Sequence, residues 1–166
     1  IPNRTLSCPS LIIPELERFG NFLDSSKERE MSTTGIMVRL LASLLKLTEV
    51  QRYIVPIVPD EARTFGMEGL FQAAGIYSPQ GQLYQSLDGD SLMPYREAED
   101  GQILQEGITE VGAIASFMAA GSAYSVHGLP MIPFYFFYSM FGMQRVGDMI
   151  WSCGDMMCKG FLLGGT

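Results

Sequence analysis

Two acids at the entrance of an apolar run have the residue types and spacing for proton chemistry. Glu106 and Glu110 lie in QEGITE and precede a long run without a charged side chain. A carboxyl group among Ile108, Val111 and Ile114 is disfavoured as an anion, so it keeps its proton more readily than one in water. An acid in the first turn of a helix also suits the helix dipole. The local pattern leaves both interpretations open.

Two further pairs of side chains could serve a binding site. Asp60 and Glu61 close the β-branched run IVPIVP, and Tyr138 and Phe141 lie in FYFFYSMF. The acids could line a charged channel, or they could be an N-cap and a first-turn residue of the next helix. The aromatic rings could pack on a flat ligand, or they could be core residues of an apolar strand. Position along the chain does not separate these alternatives.

Composition and spacing exclude several classes of function. The net charge is -7 and the basic residues are scattered, so we expect no nucleic-acid partner. Cys8, Cys153 and Cys158 lack metal-binding spacing, which indicates free thiols in a reducing cytosol and no metal site. The apolar run is broken by SVHGLP into pieces of about 14 residues, too short to span a bilayer. We therefore expect no membrane segment.

The apolar period predicts which elements position these side chains. Residues 1–30 show no sustained period and suit a linker or surface arm. Helices are predicted over residues 32–46, 61–75, 108–124 and 139–154, with Ser32, Thr33 and Thr34 as candidate caps and Ser139 opening the last helix. Strands are predicted over residues 54–60, 102–105, 130–138 and 159–165. The segment from 77 to 101 is long for a connection and predicts an ordered functional loop or a partner contact.

Strands that alternate with helices, and that are apolar on both faces, predict an α/β fold. The expected architecture is a mostly parallel β-sheet flanked by helices on both faces. Ligands of such sheets bind outside the carboxyl ends of the strands. If the strands at 54–60, 102–105 and 130–138 are neighbours, the acids and aromatics that follow them converge on one edge.

Five strings in order carry a family resemblance. They are VPDEARTFGMEGLF, GIYSPQGQLY, GQILQEGITEVGA, LPMIPFYFFYSMFGMQRVGD and GFLLGGT. Together they closely resemble the middle, pyrimidine-binding domain of the E1 component of homodimeric bacterial pyruvate dehydrogenase, which binds thiamine diphosphate. The resemblance implies a pyrimidine-binding domain over residues 31–166, a fragment of a longer chain, with residues 1–30 as an arm from the preceding domain.

The resemblance also implies roles for the candidate residues. Glu110 matches the acid that shares a proton with a ring nitrogen of the cofactor's aminopyrimidine and so activates the cofactor. Ile108 matches the apolar residue that supports the cofactor in its bent shape, and Tyr138 and Phe141 match aromatics that pack on the aminopyrimidine. Asp60 and Glu61 match acids of the active-site channel.

The resemblance also implies which part of the cofactor site this chain lacks. The family holds the diphosphate and its magnesium ion through a G-D-G motif followed by paired asparagines, and the DGD at residues 88–90 has no such pair after it. The implied partners are the amino-terminal diphosphate-binding domain of the other subunit of a homodimer, and the E2 dihydrolipoyl acetyltransferase.

We therefore expect a cytoplasmic enzyme that decarboxylates pyruvate and passes the acetyl group to the lipoyl group of E2. The isolated fragment is expected to supply only the aminopyrimidine half of the site and to be inactive alone. The alternative is a non-catalytic α/β module for interaction or dimerisation.

Overall fold

The fold is built on one parallel sheet. A computed structural model describes residues 8–26, 28–87, 89–90 and 93–165. Within them the strands are β1 (Ile54–Val58), β2 (Ile76–Tyr77), β3 (Glu97–Ala98), β4 (Leu104–Gln105), β5 (Ile132–Tyr138) and β6 (Phe161–Gly165). The helices are α1 (Gly20–Leu23), α2 (Thr33–Leu44), α3 (Phe71–Ala74), α4 (Glu110–Val126) and α5 (Ser139–Asp155). The main sheet has the order β4-β1-β5-β6, and β2 pairs with β3 beside it.

Every strand pair in both sheets is parallel, and helices cover both faces of the main sheet. Ile54 and Val58 of β1 pack with Leu41 of α2 in one apolar core. Val55 and Ile57 point to the opposite face, where they join the core formed with α4 and α5. This alternation is the two-residue period of a strand, with both faces buried. The predicted α/β class and its helices on both faces are confirmed.

Side-chain caps fix the start of two helices. Ser32 precedes α2 and its Oγ accepts a hydrogen bond from the Gly35 amide at 3.0 Å. Thr109 precedes α4 and accepts in the same way from the Gly112 amide at 3.1 Å. Each cap satisfies an amide that has no partner within its helix. The predicted cap at Ser32 is confirmed.

One local prediction about a helix is wrong, and one is confirmed. Residues 61–75 do not form one helix: 3-10 turns at Ala62–Phe65 and Glu68–Leu70 precede the single turn α3. The reason is Gly66, whose φ of 69° ends the first turn. The last helix begins at Ser139 as predicted, and Tyr138 occupies its cap position without a side-chain hydrogen bond.

Strand β1 is central in the sheet although it contains Pro56. Its C-terminal half pairs with both neighbours, whereas its N-terminal half pairs only with β5. On the open side, Gln102 Nε2 donates to the Gln51 carbonyl at 2.7 Å and to the Ile54 carbonyl at 3.2 Å. The side-chain amide of Gln102 therefore supplies part of the hydrogen bonding that a longer β4 would supply on this side of β1.

The arm and the long loop lie outside the two cores. None of the described residues 8–26 and 28–30 is buried, as expected for a surface arm, whereas the boundary between arm and domain at residue 30 stays a prediction. The segment from 77 to 101 is held at its ends by the β2–β3 pair. Asp88 of its DGD string lies outside the described residues. No helix in the described part of the chain has the length and apolar character needed to cross a bilayer.

Candidate functional site

The carboxyl ends of three neighbouring strands form one edge. Strands β4, β1 and β5 are adjacent and parallel, so their following segments leave the sheet on the same side. Asp60 follows β1, Glu106 follows β4, and Tyr138 is the last residue of β5. The condition under which the acids and aromatics converge on one edge is therefore met.

The turn between β4 and α4 has an uncommon backbone. Gly107 has a φ of 70°, and Ile108 follows with a φ of 49°, a conformation that a β-branched residue rarely adopts. The turn is held against the end of β1, because the Glu106 amide donates to Val58 at 3.0 Å and the Thr109 amide to Pro59 at 2.8 Å. The Ile108 side chain is 81% exposed. Strain of this kind clusters at binding sites, where the surroundings hold it in place.

Glu110 is the first residue of α4 and forms an ion pair with Arg145. Its side chain is 13% exposed, and its Oε1 accepts a hydrogen bond from Arg145 Nη1 at 2.5 Å. The expectation that only apolar residues surround this carboxyl group is wrong. Ile114 is buried, but Ile108 and Val111 point largely into solvent, and Arg145 takes the position next to the carboxylate.

Arg145 connects Glu110 with an aromatic candidate. Its guanidinium carbon lies 5.2 Å from the centroid of the Phe141 ring, a cation–π distance. Helix α5 is interrupted at the next residue, Val146, whose φ of -133° and ψ of 19° are not helical. The interpretation of the sequence missed Arg145. A signal was present, because Glu110 and Arg145 are the two charges that enclose the uncharged residues 111–144.

Glu106 precedes α4, and its side chain is held against that helix. Its Oε1 accepts a hydrogen bond from Ser116 Oγ, and a Cβ added to Gly112 would lie 3.4 Å from its Oε2. Glu106 is therefore held by the second turn of α4, while Glu110 pairs with α5.

The second pair of candidates also meets at this edge. Tyr138 donates from its hydroxyl to Asp60 Oδ2 at 3.1 Å, and its ring stacks on Phe65 at 5.0 Å between centroids. Glu61 lies 3.7 Å from the Arg63 guanidinium and occupies the cap position before the turn Ala62–Phe65 without a side-chain cap hydrogen bond. The alternative of Asp60 as the N-cap and Glu61 as a first-turn acid is therefore wrong. The Ala62 amide donates to Gln105 Oε1 at 2.9 Å, which ties this turn to the end of β4.

One buried hydroxyl accompanies the site. Tyr135 is fully buried, and in the described part of the chain its hydroxyl has no hydrogen-bond partner. Burial, and after it the negative charge of Glu110, raise the pKa of Tyr135 to about 12. The phenol is therefore neutral at physiological pH.

Exposed apolar side chains lie beside Glu110 in the chain and on the first turns of α5, the helix that carries Arg145. We call them the apolar rim, and they are Ile108, Val111, Met140, Phe141 and Met143, exposed by 48% to 81%. Large apolar side chains grouped at a surface mark a binding site. Among the described residues, no cluster of three or more His, Cys, Asp or Glu side chains could hold a metal ion.

Comparison with known proteins shows the family of the chain. Residues 11–166 match the family described as "Pyruvate dehydrogenase E1 component middle domain". The chain belongs to this family. The resemblance in the five sequence strings is thereby confirmed.

Relatives named "Pyruvate dehydrogenase E1 component" match nearly the whole chain. The protein of Pseudomonas aeruginosa is 55% identical over 166 residues, which are 100% of this chain and 19% of the relative. The protein of Cupriavidus necator is 52% identical over 167 residues, with the same coverage of 100% and 19%. The protein of Escherichia coli K12 is 53% identical over 156 residues, 94% of this chain and 18% of the relative. This E1 middle domain thus spans about a fifth of the length of these relatives.

Proposed function

We propose that this chain supplies the aminopyrimidine half of the thiamine diphosphate site of pyruvate dehydrogenase E1. In the whole enzyme, an oxidoreductase, that site would decarboxylate pyruvate and pass the acetyl group to the lipoyl group of the E2 dihydrolipoyl acetyltransferase. The single observation that carries the proposal is the position of Glu110. It places a carboxylate at the start of α4, with an exposed aromatic ring close to its ion-pair partner.

The side chains at the edge fit a flat, nitrogen-containing ring. Phe141 is 48% exposed and offers an aromatic face, and Ile108 protrudes from a strained turn that keeps its side chain in solvent. Glu110 offers an oxygen that can share a proton with a ring nitrogen. When bound, thiamine diphosphate supplies the electron sink for decarboxylation.

The residues of this chain would orient and activate that ring. Glu110 would hold a proton at the ring nitrogen, and Arg145, bound to Oε1, would keep the carboxyl group in position. Tyr138 and Phe141 would pack on the ring, and Ile108 would support its bent shape. Asp60 and Glu61 would line the channel, with Asp60 oriented by the Tyr138 hydroxyl.

The other half of the site would come from a partner. The apolar rim and the family identity support a homodimer in which the amino-terminal diphosphate-binding domain of the other subunit covers this edge. That domain would hold the diphosphate and its magnesium ion. We propose a cytoplasmic enzyme, and we propose that the isolated chain is inactive.

The test is pyruvate decarboxylation by the full-length E1 that contains this domain, comparing Glu110→Gln with the unchanged enzyme. Loss of a positioned acid costs about 10²–10⁴-fold in rate, so we expect a loss of at least about 10²-fold in kcat. Glu28→Gln, which neutralises an exposed acid of the arm, is the matched control and should keep full activity.

A second arm tests the half-site directly. This chain alone should not decarboxylate pyruvate, and mixing it with a separately expressed amino-terminal domain should restore activity that depends on thiamine diphosphate. Full activity of the Glu110→Gln enzyme would refute the role of Glu110. Activity of this chain alone would refute the half-site.

A further inference from the structure

Two of the three cysteines meet at the C-terminal end of α5, far along the chain from Glu110. Cys153 lies in the last turn and is 5% exposed, and Cys158 follows the helix and is partly exposed. Both belong to the core between the sheet, α4 and α5. The Cys158 thiol donates a weak hydrogen bond to the Met118 carbonyl of α4 at 3.8 Å.

The helix end brings the two cysteines together. Met157 adopts a φ of 55°, the Cys158 amide donates to the Cys153 carbonyl at 2.9 Å, and the Met157 amide donates to Gly154 at 2.9 Å. These are the two hydrogen bonds of a Schellman motif, in which the first residue and the last residue commonly form a side-chain contact. Here both of those positions are cysteines.

The turn is fixed by α4, so the pair is held in place. The Lys159 amide donates to the Gly121 carbonyl at 2.9 Å, and the Tyr124 hydroxyl donates to the Met157 carbonyl at 3.1 Å. Gly121 is needed for this packing, because a Cβ there would lie 2.6 Å from the Lys159 oxygen. A disulfide needs its two residues close together in space, and the hydrogen bond that closes the turn holds the backbone of Cys158 against that of Cys153.

We propose that Cys153 and Cys158 are a modification site at which a small-molecule disulfide forms an intramolecular disulfide bond. Cys158, the more exposed thiol, loses its proton and attacks one sulfur of the reagent, and one small thiolate leaves and takes up a proton. Cys153 then attacks the Cys158 sulfur and expels the second small thiol. One disulfide bond of the reagent is reduced to two thiols while one forms in the protein.

Reactivity distinguishes the two thiols. Burial raises the pKa of Cys153 to about 11 and also raises the pKa of Cys158, so exposure and not acidity separates the two thiols: Cys158 is partly exposed and Cys153 is buried. Cys158 is therefore the attacking residue, and Cys153 is the residue that resolves the mixed disulfide.

The experiment uses the full 166-residue chain with Cys8→Ser, incubated with oxidised glutathione and then alkylated under denaturing conditions. Asp155 lies between the two cysteines, so cleavage on its N-terminal side separates them unless a disulfide links the fragments. We expect linked fragments, the loss of two hydrogen atoms in the intact mass, no retained glutathione, and full reversal by dithiothreitol.

The single variants give the order of reaction. Cys153→Ala should stop with one glutathione on Cys158, and Cys158→Ala should acquire much less glutathione while folded, with circular dichroism as the check on folding. Two alkylated thiols after oxidation, or glutathione that stays on Cys158 while Cys153 is present, would overturn the proposal. This result does not depend on the catalytic role of the domain.

Discussion

The contact between Glu110 and Arg145 changes how the apolar run is understood. Residues 111–144 carry no charged side chain, and the two charges that enclose the run meet in space at 2.5 Å. The two ends of this run can meet only if both lie at the same edge of the sheet. The path through α4, β5 and α5 brings them there, so Glu110 and Arg145 form one ion pair although the whole run lies between them in the chain.

The sequence predicted most of the candidate residues but not their partners. Asp60, Glu110 and Tyr138 could be assigned to one edge because they follow or end parallel strands. The Arg145 contact could not be predicted from helical spacing, because α5 is interrupted at Val146 and an uninterrupted helix would place its side chains differently. The hydrogen bond between Tyr138 and Asp60 also depends on strand register, which local patterns do not contain.

The Tyr135 hydroxyl provides a prediction about pH. Its pKa rises from 10.0 to about 12 on folding, so the stability it contributes is present below about pH 10 and is lost as the pH rises to about 12. Tyr135→Phe removes this loss of stability at high pH. It also removes a buried hydroxyl that has no partner in the described part of the chain, and burying such a group lowers the free energy of unfolding by about 1–3 kcal/mol.

The free energy of unfolding of both proteins, measured in urea between pH 8 and about pH 11, checks this expectation. The phenylalanine variant should be at least as stable at pH 8, and its advantage should grow above pH 10. A constant difference across this range would contradict the assignment.

At the scale of elements, Gly142 shows how closely α5 approaches the sheet. A Cβ at this position would lie 2.5 Å from Cδ2 of Phe137, which is itself buried in β5. Gly142→Ala should therefore destabilise the domain by about 1–3 kcal/mol through overpacking. Urea unfolding gives the measurement.

The same helix offers a matched control for this substitution. Gly154 is exposed, and a Cβ there would meet nothing within 4 Å. Gly154→Ala should stabilise the domain by about 0.5–1 kcal/mol, because alanine restricts the unfolded chain and favours the helix. If Gly142→Ala were as stable as Gly154→Ala, the close packing of α5 on Phe137 would be wrong.

The elements differ in how well the sequence predicts them. Helix α2 follows from its apolar period, α4 from its small residues, and β5 from a continuous apolar run that is buried on both faces. The stretch 61–75 has the same apolar spacing and buried Phe65, Leu70 and Phe71, yet Gly66 breaks it into short turns. Apolar spacing reports burial, and it predicts a helix only where no residue requires a different backbone.

At the scale of the whole molecule, the apolar rim predicts association. Exposed apolar side chains grouped around one site favour contact with a second surface. We expect this chain to show concentration-dependent association in sedimentation velocity, and we expect Met140→Gln with Met143→Gln to reduce it.

Leu87→Gln is the control for that measurement, because Leu87 is fully exposed but lies in the loop from 77 to 101, outside the rim. It should leave the association unchanged. A chain that stays monomeric at all concentrations, or an equal effect of the Leu87 change, would refute the rim as the contact surface.

The central place of β1 has a consequence for the rate of folding. Ile57 pairs with Leu104 and Ile54 pairs with Ile132, so the partners of β1 lie many tens of residues later in the chain. The loop-closure entropy of both crossovers must be overcome before the contacts of the central strand form, which makes such sheets slow to fold. During synthesis β1 leaves the ribosome before β5 and stays without it until Ile132 has emerged. The apolar strand IVPIV is then the segment most in need of protection from aggregation.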